Sequence, residues 1–183
     1  DREEHQRNRL IDGFSYLNLS ENDIIISDDI DEITDPERIK EFRNKELNEI
    51  CILEQDMYYY NLETRQKEKW DQSKIFPYKL LKNNLLSVIR RSHTQVELTT
   101  IPRGGWHFSY FFGVDQIINK IKTFAHQEFN NETYLNPEKI QAQIDAHEDM
   151  FNRKDFFEYI KIADNTYLPN NYKMLLEEHN GGS

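Results

Sequence analysis

The sequence predicts an α/β domain, or its close relative α+β, with helices packed on a mixed sheet. Three observations carry this. Helical and strand-like patterns alternate along the chain in the order helix, strand, helix, several strands, helix, helix. Ile24-Ile-Ile-Ser27 is a short continuous apolar run of the kind that suits a strand covered on both faces. Aromatic residues make up 13% of the 183 residues and apolar ones 37%, enough for a folded core although 31% are charged.

The elements are justified in order. Asp1 to Leu17 reads as a helix, with Leu10, Ile11, Phe14 and Leu17 on one side. Leu19-Ser-Glu-Asn-Asp23 is a turn, followed by the strand at Ile24. Asp35-Pro36-Glu37 opens a second helix, with Asp35 as N-cap and Pro36 in the first turn, running to about Asn48. Ile50 to Leu62, Leu85 to Arg90 and Val96 to Thr100 read as strands. Pro102-Arg-Gly-Gly105 reads as a turn or bulge, and Trp106 to Phe112 as a further strand. Val114 to Phe129 is helical, with Ile117, Ile118, Ile121 and Phe124 at helical spacing. Asn136-Pro137-Glu138 starts another helix. No internal boundary is marked by a linker, so residues 1–179 read as one domain and 180–183 as a flexible tail or linker.

Composition excludes several classes. Lys and Arg number 23 against 33 Asp and Glu, a net charge of −10, which disfavours nucleic acid as a partner because phosphate backbones are gripped by clustered cations. No apolar run approaches the roughly 18 residues of a membrane span. Cys51 is the sole cysteine, which excludes an intrachain disulfide and a cysteine-based zinc site.

Two segments carry chemistry. The first is Asp28-Asp29-Ile30-Asp31-Glu32, directly after the apolar strand. In open α/β sheets ligands bind beyond the carboxyl ends of strands. Carboxylates crowded there repel one another, and a cation relieves that repulsion. Oxygen-only ligands suit Mg²⁺ or Mn²⁺ held jointly with substrate phosphates. The bland alternative is a solvated acidic turn ahead of an N-cap. An EF-hand is excluded, because the loop lacks its glycine and closing glutamate. A phosphatase-like D-x-D-x-T/V read from Asp29 ends at Ile33 and matches imperfectly.

The second segment is Arg103-Gly-Gly-Trp-His-Phe-Ser-Tyr110. Its glycines permit close backbone approach or positive φ. Trp106 and Tyr110 offer flat faces for a sugar or base, and His107 could complete a metal site or donate to phosphate. An aromatic core strand with a satisfied histidine is the competing interpretation. Asp115 follows in the first turn of a helix, where it either complements the dipole or serves as a base for an acceptor hydroxyl. Zinc-deaminase, His-x₃-His zinc and nucleophile-elbow patterns are all missing.

Together these blocks resemble glycosyltransferase family 17, the β-1,4-mannosyl-glycoprotein 4-β-N-acetylglucosaminyltransferase family. Gln6-Arg-Asn8, the Ile24–Ile33 strand with its D-x-D-E-I end, and Gly105-Trp-His-Phe-Ser109 with Asp115 and the helix to His126-Gln-Glu128 carry the likeness in order. Tyr59-Tyr-Asn61 and Leu168-Pro169 fit as well, whereas Thr34 stands where the family often has proline. The resemblance implies a GT-A type nucleotide-diphospho-sugar transferase fold with a mixed, mostly parallel sheet flanked by helices. Family domains usually begin well before the first helix here, so the chain would be the larger C-terminal part of that fold. It also implies an inverting, metal-dependent transfer of GlcNAc from UDP-GlcNAc to a glycan or glycoprotein hydroxyl, with Mn²⁺ or Mg²⁺. On this likeness Asp29, Asp31 and His107 hold the metal, and Arg7, Asn8, Asp29, Trp106 and His107 face the UDP-sugar. Asp115 is the general base, with Glu32 its rival. Secretory-pathway members carry an N-terminal membrane anchor, and none is seen in this sequence. Two other functions compete: a non-catalytic carbohydrate-binding or interaction domain on the same fold, and a Mg²⁺-dependent phosphohydrolase using Asp29 as nucleophile.

Overall fold

A computed structural model describes residues 2–111, 113–123 and 127–180. It divides into two compact units, Asp1–Gln55 with Trp70–Gly105, and Asp56–Lys69 with Trp106–Ser183. Each unit is made of separated chain segments, and the boundary falls inside strands, which explains why no linker marks it. The α/β class holds. Among the described residues no helix is long and apolar enough to cross a membrane.

The first unit begins with α1 (Arg2–Arg9), continued by a 3₁₀ stretch from Leu10 to Tyr16. The expected single helix to Leu17 therefore changes pitch. A 3₁₀ turn repeats every three residues, which brings Ile11 and Phe14 onto one packed face and leaves Leu10 exposed, while Leu17 lies past its end in extended backbone and is exposed too. β1 (Ile24–Ser27) and β2 (Glu32–Thr34) flank the acidic turn, and α2 (Pro36–Phe42) follows. Asp35 caps α2 as expected, its carboxylate accepting from the Glu37 amide at 2.9 Å. The helix stops at Phe42, short of Asn48. β3 (Cys51–Tyr59) starts in this unit, which also holds β5 (Lys74–Pro77). β1 pairs antiparallel with β5, and β5 with the first residues of β3. Ile24 and Ile26 pack on one cluster around Leu53 and Ile75, while Ile25 packs on another around Phe76 and Ile89. The apolar run is thus covered on both faces.

Leu85 to Arg90, expected as a strand, is instead α3 (Leu86–Arg90). Leu86 and Ile89, three residues apart, are both buried, and the Asn8 side chain accepts the Ser87 amide at 2.9 Å. A short apolar run does not distinguish the two states, and here a cap from a distant segment decides. β6 (Thr99–Ser109) runs straight through the glycines expected to form a turn, and pairs with β2 and β3. A Cβ on Gly104 would lie 2.5 Å from the Leu53 carbonyl carbon, and one on Gly105, at φ +148°, 2.1 Å from the Ile33 oxygen. The glycines serve close strand contact.

In the second unit, β3 ends and turns through residues 60–63 into β4 (Thr64–Gln66), which pairs antiparallel with β7 (Phe157–Tyr159). Asn61 Oδ1 accepts the Glu63 and Thr64 amides at 2.9 and 3.0 Å and sets that turn. Four pairings, β1–β5, β5–β3, β3–β4 and β4–β7, are antiparallel, so the sheet is not mostly parallel. Parallel neighbours need crossovers of about a dozen residues or more, and the β3–β4 link is a short turn. α4 (Val114–Thr123) and α5 (Pro137–Asp145) are amphipathic, with Ile117, Ile121 and Ile140 buried. Asn136 caps α5 by accepting the Lys139 amide at 3.0 Å. α6 (Tyr172–Asn180) sends Leu175 and Leu176 onto the cluster of Tyr58, Leu62, Trp106 and Phe111. Phe112, the expected helical residues Phe124 and His126, and the tail residues 181–183 lie outside the described residues.

Candidate active site

The acidic turn is built around one buried arginine. Arg90, at the end of α3, donates to the Ser27 carbonyl at 3.1 Å, to Glu32 Oε2 at 2.7 Å and to Asp29 Oδ2 at 2.9 Å, and also contacts Glu32 Oε1. Glu32 is fully enclosed, its side chain 0% exposed, and accepts in addition the Asp29 amide at 2.9 Å and Trp70 Nε1 at 2.6 Å. Burial alone would raise its pKa, but the Arg90 hydrogen bonds and charge, with the Asp29 and Trp70 donors, hold it below the ordinary glutamate value. Burial likewise opposes the Arg90 charge, and Glu32, Asp29 and Asp28 together outweigh it and raise its pKa. Asp28 turns inward to Thr34 Oγ1 at 2.5 Å and to Ser73 Oγ, and burial raises its pKa despite those donors.

Asp29 points the other way, with its side chain 41% exposed. Arg7 on α1 meets its Oδ1 at 2.8 Å. A cavity of about 310 Å³ opens here, lined by Arg7, Arg90, Arg91, Asp29, Glu3, Glu4, Ser87, Gln72 and Trp70. Arg7 also contacts Glu3 at 3.3 Å, and Arg91 contacts Glu4 at 3.1 Å. Three guanidinium groups therefore face three carboxylates around the cavity, and Glu32 stands directly behind.

The residues expected at the site divide accordingly. Arg7, Asn8, Asp29 and Glu32 are brought together, and half-buried Asp31 sits in the same turn. Asn8 caps α3. Glu32, the rival base, is enclosed and saturated by donors, whereas a base must reach the attacking hydroxyl; its place is structural. Trp106 belongs to the second unit and is core: it is 3% exposed, its Nε1 donates to the Tyr167 carbonyl at 3.2 Å, and its ring packs on Tyr167 at 4.7 Å. It does not shape a sugar pocket. His107 is buried in the same unit. Asp115 is exposed in the first turn of α4, at a shallow depression shared with Gln116, Ile118, Asn119 and Lys122.

Among the described residues no three His, Cys, Asp or Glu side chains gather as a metal cage. A Mg²⁺ or Mn²⁺ site of another kind needs only one or two carboxylates, with substrate phosphates supplying further oxygens. Asp29 lines the cavity as an oxygen donor, but each of its oxygens is already met by a guanidinium. The cavity residues the sequence reading missed are Glu3, Glu4, Trp70, Gln72, Ser87, Arg90 and Arg91. Trp70 was legible as an isolated tryptophan in a polar stretch, whereas the Arg90–Arg91 pair gave no local signal.

A family model for glycosyltransferase family 17 matches residues 1–166 of the 183. No curated protein and no solved structure shows significant similarity to the chain. With nearly the whole described length matched, including the acidic turn and the arginine that meets it, the chain belongs to glycosyltransferase family 17.

Proposed function

We propose that the chain transfers a sugar, GlcNAc, from a UDP-sugar to a glycan hydroxyl with inversion, and that the donor occupies the cavity at the end of β1. Family membership supports the transferase class. The observation that carries the location is the convergence of Arg7, Arg90 and Arg91 with Asp29 and Trp70 on one cavity. Guanidinium groups suit phosphate oxygens through paired N–H donors. The Trp70 indole, pinned by its N–H to Glu32, offers a fixed aromatic wall for a base or sugar ring.

The charge balance bears on the metal. The cavity walls already cancel, so a diphosphate adds negative charge that these residues alone do not offset. A divalent cation supplies that missing charge when bound. In the transfer, the acceptor oxygen attacks C1 of the sugar and its proton passes to a base. The bond from C1 to the phosphate oxygen breaks, and the diphosphate leaves with the electron pair. Incubation with a panel of nucleotide-sugars and Mn²⁺, read by mass spectrometry for released nucleoside diphosphate, tests the reading. Turnover of UDP-GlcNAc above other donors is expected. No release from any donor, with no binding of UDP, would overturn it.

A further inference from the structure

Trp70 and Gln72 both line the cavity, two residues apart in the chain. Between the Gln55–Trp70 and Ile52–Lys74 pairs, β3 has two residues, Leu53 and Glu54, and the facing stretch has three, Asp71, Gln72 and Ser73. An extra residue of this kind re-aims a side chain, as in a β-bulge. Fully buried Lys74 pins the stretch, its Nζ donating to the Asp71 carbonyl and, at 3.0 Å, to the Gln72 carbonyl. The Gln72 side chain is fixed as well. Its Nε2 donates to Asp71 Oδ1 at 2.6 Å and lies 3.0 Å from His93 Nε2. A carboxylate only accepts, so the amide nitrogen, not the oxygen, faces Asp71, and His93 Nε2 accepts the second N–H. The other His93 nitrogen, Nδ1, is buried without a partner among the described residues. Both N–H groups of the amide are thereby used. Its Oε1 is left, open to solvent, with nothing among the described residues donating to it.

Resting on the donor reading above, we propose that Gln72 reads the base of the nucleotide-sugar. The base stacks on Trp70, and Gln72 Oε1 accepts an N–H from its edge. Uracil offers that donor at N3. The same ring nitrogen in cytosine is an acceptor and would meet the amide oxygen lone pair to lone pair. The amide cannot turn to suit the wrong base, because its nitrogen is committed to Asp71 and His93. A site built around one hydrogen bond discriminates against ligands that leave it unmade. Gln72 is therefore a specificity-determining residue, and His93 is a positioning residue that acts through it.

The test is calorimetric titration of the full chain, with Mn²⁺ present, by UDP and by UDP methylated at N3. The methylated form keeps the ring, ribose and diphosphate but lacks the N–H. Neither ligand carries a sugar, so a difference between them belongs to the base. Wild type is expected to bind UDP about tenfold tighter than the methylated form, the scale of one lost hydrogen bond. In Gln72→Leu the two affinities should lie within about threefold of each other. Leucine fills nearly the same space, so a preference caused by crowding of the methyl group would survive the substitution. His93→Leu should narrow the ratio in the same direction, with circular dichroism checking the fold. Should Gln72→Leu not fold, Gln72→Met is the same test, and the comparison on wild type needs no variant. Equal affinities in wild type, or a ratio retained in Gln72→Leu, would overturn the proposal. A ratio untouched by His93→Leu would overturn its positioning role. Absence of UDP binding to wild type removes the donor reading and the base reading with it, whereas UDP binding without a methyl effect removes only the base reading.

Discussion

At the residue scale, the Arg90–Glu32 pair organises the site. Both side chains are almost fully enclosed, so each buried charge is offset chiefly by the other. Arg90→Met should cost on the order of 3–5 kcal/mol in urea unfolding, because it strands a buried carboxylate. A loss under about 1 kcal/mol would mean that Glu32 is far better hydrated than its burial implies. The two tryptophans should separate in the same way. Trp106→Ala should destabilise the fold by about 3–5 kcal/mol through loss of core packing. Trp70→Ala should instead weaken UDP binding, because Trp70 is half-buried and lines the cavity. Equal effects of the two substitutions on UDP affinity would contradict the distinction drawn between them.

At the scale of elements, backbone contacts decide what local pattern leaves open. Gly105→Ala should destabilise by about 3 kcal/mol or more, since the new Cβ meets the Ile33 carbonyl at φ +148°. Gly13→Ala meets nothing within 4 Å and should stabilise by about 0.5–1 kcal/mol. Thermal melts on the pair check both signs, and a stable Gly105→Ala would show that β6 does not press on β2. The same contacts explain how much was legible. The β1 run, the Asp35 and Asn136 caps and the long β3 were readable because each rests on neighbouring residues. α3 was not, because its cap is Asn8, remote in sequence. The passage of β6 through Gly104 and Gly105 was equally hidden, since the reason lies on β2 and β3. Of the cavity residues, Asp29 was singled out by its place after an apolar strand and Arg7 by the family likeness. Arg90 escaped because its role appears only once helix and turn meet.

At the scale of the whole molecule, pH should reveal buried groups. Burial, with Arg90 repulsion second, lowers the fully buried Lys74 to a pKa of about 8, while an unfolded lysine titrates near ~10.4. Between those values the unfolded chain binds more protons, so stability should rise with pH. Above about pH 10 it should fall again. Burial raises Tyr58, Tyr59 and Tyr60, so the folded chain retains protons that unfolded tyrosines release. Urea midpoints across pH 7–11 check the maximum. A Lys74→Met variant should lose its rising limb, and a rising limb that persisted would assign it elsewhere. Cys51, buried on β3 with its thiol pushed up to about 11, should react with thiol reagents only on unfolding. The net charge of −10 leaves the cavity itself balanced between arginines and carboxylates. The central claim is that this cavity receives the nucleotide-sugar. Calorimetric titration of UDP in the presence of Mn²⁺ tests it most directly, with wild type beside Arg91→Gln, whose side chain is 53% exposed and removable without touching the buried pair. The account predicts one UDP per wild-type chain and affinity weakened about fivefold or more in Arg91→Gln. UDP binding left unchanged by Arg91→Gln and by Trp70→Ala would contradict it.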